Sequence, residues 1–307
     1  MLGYDDIEAA RTRLAGLLRP TVLAPAGPRL SLALEFLQYT GSFKARGALN
    51  FTLAHLESGT VPEAGIAIAS GGNAGLACAW AAGSRHLPAT VFLPRGAPAV
   101  KVRLLRELGA EVRQVGAEYA EAAAACAEFT AATGALAAHA YDHPLIAAGA
   151  GTLLADLLAA DPRLDTVVLA VGGGGLFAGV AAAAEARGVR VVGVEPEGCR
   201  ALHAALAAGT PVDVPVDSVA ADSLGARRVS AEALYWASRP HTVSVLVPDA
   251  EIVAARRALW HEHRLAVEHG AATAYAAVRC GAWAPEPGER VCVVLCGANT
   301  DPADLGH

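Results

Sequence analysis

The residues of this chain best suited to chemistry sit in four short glycine-bearing stretches. The first, Gly41-Ser42-Phe43-Lys44-Ala45-Arg46-Gly47-Ala48, places one lysine in a turn after the mainly apolar run from Leu30 to Leu37. A lysine is usually a solvated surface charge, but an amine held among apolar neighbours loses its proton readily and becomes a nucleophile or base. The second, Ser70-Gly71-Gly72-Asn73-Ala74-Gly75, offers backbone N–H groups and one side-chain amide. The third is four glycines, Gly172, Gly173, Gly174 and Gly175, running into a helical pattern. Successive N–H groups there converge on an anion, and the helix N-terminus adds partial positive charge. A plain turn needs one or two glycines, so four point to a phosphate. The fourth, Cys296-Gly297-Ala298-Asn299, ends a strand-like run with a small thiol. Two structural readings stay open beside these: Ser70 or Asn73 as an ordinary helix N-cap, and Cys296 as a core residue.

The elements that must carry these groups alternate. Short apolar runs at 66–69, 90–93, 111–115 and 136–139 read as strands, with helical patterns at 74–85, 99–108 and 119–132. The second half repeats the pattern: helix 144–160, strand 166–171, helix 176–187, strand 189–194, helix 200–208, strand 243–247, helices 249–263 and 270–281, strand 291–296. Strict alternation means βαβ units, hence an α/β chain of two lobes, each an open, largely parallel twisted sheet flanked by helices. The expected division is a larger cofactor-binding domain of residues 1–63 and 143–307 and a smaller substrate-binding domain of residues 64–142. Ligands of such folds bind beyond the carboxyl ends of the strands, where the glycine loops fall.

Composition narrows the partners. At 307 residues, with only 5% aromatics, the core must be Val, Leu and Ala, closely packed. A net charge of -6 gives no footprint for nucleic acid. Cys78, Cys126, Cys199, Cys280, Cys292 and Cys296 form no CxxC pair and no metal spacing with histidine, so they read as reduced thiols. The histidines, His139 and His143 among them, read as structural or exposed. The N-terminus lacks a basic and apolar leader, which predicts a cytoplasmic protein. Residues 166–184 carry no charge and mimic a membrane span, but four glycines break any helix there, giving strand, loop and helix instead.

One rival uses the same glycines. Gly173, Gly175 and Ala178 satisfy the G-x-G-x-x-G/A fingerprint, and Glu195 lies 20 residues beyond Gly175 where a ribose-binding acid would stand, as in a nicotinamide-dependent oxidoreductase. That reading leaves Lys44, Ser70 to Gly75 and Cys296 without a purpose.

Taken in order, the four stretches resemble the serine/threonine dehydratase branch of the fold-type II pyridoxal-phosphate enzymes, over nearly the whole chain to Asn299. The resemblance implies that Lys44, in S-F-K-x-R-G, forms the Schiff base with pyridoxal phosphate and acts as the catalytic base. It implies that Phe43 packs near the cofactor ring, Asn73 meets its phenolate oxygen, Gly172 to Gly175 hold its phosphate and Cys296 faces the pyridine nitrogen. Ser70, Gly71, Gly72, Asn73 and Ala74 would hold the substrate. Glu195, in Gly193-Val194-Glu195-Pro196, matches a strand end of the family. With Cys199 and Ala201 four and six residues later, it would hold at most a monovalent cation. Racemases of the branch carry a serine where this chain has Gly71, which disfavours racemisation. The implied activity is removal of water from an L-serine-like or L-threonine-like amino acid, giving a 2-oxo acid and ammonia, by a homodimer that binds neither nucleic acid nor membrane. With the chain ending at His307, no regulatory extension is expected. Alternatives are a β-replacement enzyme of cysteine-synthase type, which usually has a threonine in its phosphate loop, and a non-catalytic protein that retains the cofactor.

Overall fold

The apolar runs become strands sorted into two sheets in the computed structural model, which describes residues 1–306. In chain order the first six are β1 (Leu23–Pro25), β2 (Leu30–Ala33), β3 (Ile66–Ala69), β4 (Ala89–Leu93), β5 (Glu111–Gln114) and β6 (Leu136–Ala137). The others are β7 (Thr166–Ala170), β8 (Arg190–Pro196), β9 (Thr242–Val247) and β10 (Val291–Val294). The larger sheet has the order β1-β2-β10-β7-β8-β9 and is parallel except for the β1–β2 pair. The smaller, β5-β4-β3-β6, is parallel throughout. Every residue of β4, β7 and β10 is buried, because helices cover both faces. That is why these strands read as unbroken apolar runs and not as alternating ones.

Several elements differ from their expected form. The segment 144–160 is two helices, Pro144–Gly151 and Leu153–Ala160. Between them Thr152 donates its hydroxyl to the Gly149 carbonyl at 2.7 Å and accepts from Arg46 at 3.1 Å. The strand expected at 136–139 stops at Ala137, because the His139 ring turns the chain by accepting the amides of Tyr141 and Asp142. The run after Leu30 is a strand only to Ala33 and then a tight turn, Glu35–Leu37.

The lysine expected in a turn is instead the first residue of a helix, Lys44–Glu57. The turn lies just before it, where Thr40 (φ 64°) and Gly41 (φ 75°) both take left-handed backbone. Three further helices went unread, Tyr4–Leu14, Ala221–Leu224 and Ala231–Ala237. The Lys44 helix packs at backbone distance on helix Pro144–Gly151: a side-chain carbon on Gly47 would come within 2.6 Å of the Ile146 carbonyl, and one on Gly149 within 2.6 Å of the Arg46 carbonyl.

Arg46 fixes this helix. It is 1% exposed, and its guanidinium spans both oxygens of fully buried Glu35, at 2.7 and 2.9 Å. The same group reaches Asp156 at 2.7 Å and the Thr21 hydroxyl at 2.7 Å. A buried ion pair of this kind contributes little net stability over an apolar pair, but removing one partner leaves a charge stranded. Glu35→Ala is therefore expected to destabilise the fold by about 3–5 kcal/mol, read as a lower midpoint in urea unfolding.

Candidate active site

Two of the predicted stretches are zipped together. The Phe43 N–H donates to the Cys296 carbonyl at 3.0 Å, Ser42 bridges Gly297, and the Ala298 N–H donates to the Gly41 carbonyl at 3.0 Å. Lys44 and Cys296 thus share one floor. The Phe43 ring packs against the core of the larger sheet, with the Lys44 ammonium 5.0 Å from the ring centroid.

The Lys44 residue is half-buried, but its amine lies at the deep end of a recess and donates to the Ala140 carbonyl at 2.7 Å. Removal from water holds its pKa down to about 8, although Cys296 and Glu268 pull the other way. A usable fraction of the amine is therefore neutral near neutral pH, as a base or nucleophile requires. Cys296 is 5% exposed, and burial, aided by Glu268, pushes its thiol well above the ordinary range. It stays protonated and uncharged.

Across the cleft, Ser70 to Gly75 links β3 to helix Asn73–Gly83. Neither Ser70 nor Asn73 caps that helix: the N-cap is Gly72, with no side-chain bond. The Asn73 amide instead crosses the cleft, its Nδ2 donating to Glu268 Oε1 at 2.8 Å and its Oδ1 accepting from Asn299 Nδ2 at 2.7 Å. A side chain on Gly75 would run into the Ser70 carbonyl, so only glycine lets the loop fold so tightly.

Gly172 to Gly175 follow β7 and open helix Gly175–Glu185. A side chain on Gly173 would overlap the Tyr141 ring, and one on Gly174 (φ 94°) would overlap Ala233. None of the four amides has an acceptor among the described residues. Free N–H groups, a helix N-terminus and walls that exclude side chains fit a phosphate cradle. Tyr141, which closes one wall by donating its hydroxyl to the Arg228 carbonyl at 3.0 Å, was not legible beforehand.

Glu195 lies apart from this cradle's free amides. It is fully buried in β8, and its oxygens accept the N–H groups of Leu202 and His203 at 2.7 and 2.8 Å, anchoring helix Ala201–Ala208. Burial raises its pKa to about 7, the two amides opposing. Among the described residues no group of three His, Cys, Asp or Glu is placed to hold a metal ion. None of their helices is long and apolar enough to cross a membrane; the uncharged stretch from Thr166 is β7, the glycine loop and a helix.

A lysine of lowered pKa, an anion cradle and a neutral thiol meet in one interlobe cleft, and the family comparison agrees with that inventory. A family model described as "Pyridoxal-phosphate dependent enzyme" matches residues 12–297. The chain belongs to this family. Its cofactor is pyridoxal phosphate, and the residues present fit it. The phenylserine dehydratase of Ralstonia pickettii is 37% identical, over 92% of this chain and 86% of that one. The L-threonine ammonia-lyase of Geobacter sulfurreducens is 34% identical, over 98% of this chain and 76% of that one. In structure, maize serine racemase superposes with a TM-score of 0.91 at 28% identity, covering 99% of this chain and 95% of that one. The dinucleotide reading of the glycines falls to the family match, and Glu195 is fully buried where it anchors helix Ala201–Ala208 instead of facing a ligand.

The sequence reading also missed Glu268, a buried carboxyl (7% exposed) facing Asn73, Lys44 and Cys296. Its pKa is raised to about 7, first by burial, with the Asn73 bond opposing. No local pattern could have flagged it, since its partner lies 195 residues away.

The lowered Lys44 pKa has a direct readout. When apoprotein is mixed with pyridoxal phosphate, the rate of cofactor attachment should rise with pH around a midpoint of about 8, because only the neutral amine attacks. A midpoint near ~10.4, the value of a solvated lysine, would mean that the amine is not buried.

Proposed function

We propose that the protein is a dehydratase of L-threonine-like and L-serine-like amino acids, releasing a 2-oxo acid and ammonia. The observations that carry this reading are the buried Lys44 amine of lowered pKa and, in the loop assigned to the substrate, Gly71, which has no side-chain proton to deliver. The cofactor is held by residues 1–63 and 143–307, and residues 64–142 close the substrate in.

In this reading the amides of Gly172 to Gly175 hold the phosphate, Phe43 lies against the ring and Asn73 faces its phenolate oxygen. The neutral Cys296 thiol faces the pyridine nitrogen without protonating it. The N–H groups of Ser70 to Ala74 bind the substrate carboxylate. Bound pyridoxal phosphate supplies the electron sink that makes the Cα proton removable. Lys44 takes that proton, and departure of the β-hydroxyl with later hydrolysis yields the 2-oxo acid.

The recess beside Lys44 also favours a small β-substituent. It is lined by Ala48, Phe51, Ile68, Ala77, Cys78 and Ile146 and has a volume of about 10 Å³. That is room for one methyl- or water-sized group, which suits threonine better than an aryl-bearing substrate. Lys44→Ala should lower 2-oxo acid formation by about 10²- to 10⁴-fold while leaving the melting temperature nearly unchanged, measured on a panel of threonine, serine and phenylserine. Activity surviving in that variant would remove Lys44 from the mechanism.

Serine racemisation is the second reading, favoured by the likeness in fold to maize serine racemase. It requires a donor on the far face of Cα. A side chain at position 71 would meet Leu93 Cδ2 at 2.8 Å, the movable end of a side chain, so a hydroxyl can be introduced there. Gly71→Ser is expected to produce D-serine alongside pyruvate, whereas the unmodified protein produces almost none. Chiral chromatography of unreacted serine after partial turnover decides between the two readings.

A further inference from the structure

Glu268 immediately precedes helix His269–Arg279 and is docked against the segment that carries Cys296. Its own N–H donates to the Gly297 carbonyl at 3.2 Å, and its carboxyl accepts the Asn299 N–H. Any side chain on Gly297 would overlap Oε1, so the glycine after Cys296 is what lets the carboxyl lie flat on the strand end. From there it reaches across the cleft to Asn73.

The Asn73 amide is consequently held at both ends by the opposite lobe. Glu268 takes one N–H, while Oδ1 accepts from Asn299, whose Nδ2 also donates to the Thr40 carbonyl at 2.7 Å. Asn299 Nδ2 donates to both the Thr40 carbonyl and Asn73 Oδ1, which fixes the carbonyl end of the Asn73 amide toward Asn299 and leaves its NH₂ end toward Glu268 Oε1. The second N–H of Asn73 has no acceptor among the described residues. Thr40 belongs to the left-handed turn that leads into Lys44, so this chain of contacts also connects the small-lobe loop to the lysine.

We propose that Glu268 is a positioning residue that aims the free N–H of Asn73 at the phenolate oxygen of pyridoxal phosphate and, by the same bond, ties the two lobes shut over the cofactor. The proposal rests on the reading of Asn73 as the phenolate contact. It explains why a carboxyl is buried beside Lys44, whose proton it helps retain although the chemistry needs that proton lost. Lys101 and Asp222 also pair across the lobes, but that contact is open to water and easily screened. The Asn73–Glu268 bond is part-buried and keeps its direction.

The test is made on the holoenzyme. Glu268→Ala and Asn73→Ala should each shift the absorption maximum of the bound cofactor and lower kcat by about 10- to 100-fold, as expected when a reacting group is misplaced, with KM little changed. The double variant should be no worse than the worse single variant, since the two residues act through one contact. Glu268→Gln, whose carbonyl still accepts from Asn73, should restore the band. Where Glu268→Ala does not melt cooperatively, Glu268→Met, of similar length, replaces it. An unshifted band in the alanine or methionine variant overturns the proposal, as does a double variant whose loss is the product of the single losses. The band is read without turnover, so a missing 2-oxo acid product would overturn the dehydratase reading while leaving this one standing.

Discussion

The buried guanidinium of Arg46 is the constraint on which the site depends. Two residues after Lys44, it is clasped by Glu35 and Asp156 and by the hydroxyls of Thr21 and Thr152. These partners come from the turn after β2 and the helices behind it, so the first turn of the Lys44 helix cannot rotate without stranding a charge in the core. The direction of the lysine is therefore set by the core and not by the loop that precedes it. Close backbone contact at Gly47 and Gly149 enforces the same placement from the other side.

With the amine so fixed, its chemistry follows from where water is excluded. Burial lowers the pKa of Lys44 to about 8 and raises that of Cys296, and both shifts favour the uncharged form of the group. Charge is instead handled at the edges of the cleft, by the free amides of Gly172 to Gly175 on one side and by Glu268 with Asn73 on another. The proposed double role of Lys44 as cofactor anchor and base needs a readily lost proton, and burial outweighs the opposing pull of Cys296 and Glu268.

The fold alone does not choose the reaction. A TM-score of 0.91 to a serine racemase and identities above 30% to dehydratases describe one scaffold that serves several outcomes. In the proposed reading, elimination and racemisation are separated by a single proton on one face of Cα, and the position proposed to give it is occupied by Gly71, on a loop.

Glycine and strand periodicity carry their meaning locally, which is why the sequence by itself determined the two-sheet α/β organisation and singled out the four glycine-bearing stretches. The tetraglycine run needs no partner to announce an anion cradle, since its amides and the following helix supply the chemistry. The helix beginning at Lys44 was hidden because Gly41 and Gly47 imitate a turn, and only packing against Pro144–Gly151 makes a tight glycine contact favourable there. Thr152 broke an apparently continuous helix for the same kind of reason, its hydroxyl being drawn to Arg46. Glu268, Tyr141 and the partners of Arg46 were decided by tertiary structure alone. Each acts on a residue tens to hundreds of positions away, and burial, which sets the pKa of Lys44 and Cys296, is a sum over atoms contributed by the whole fold.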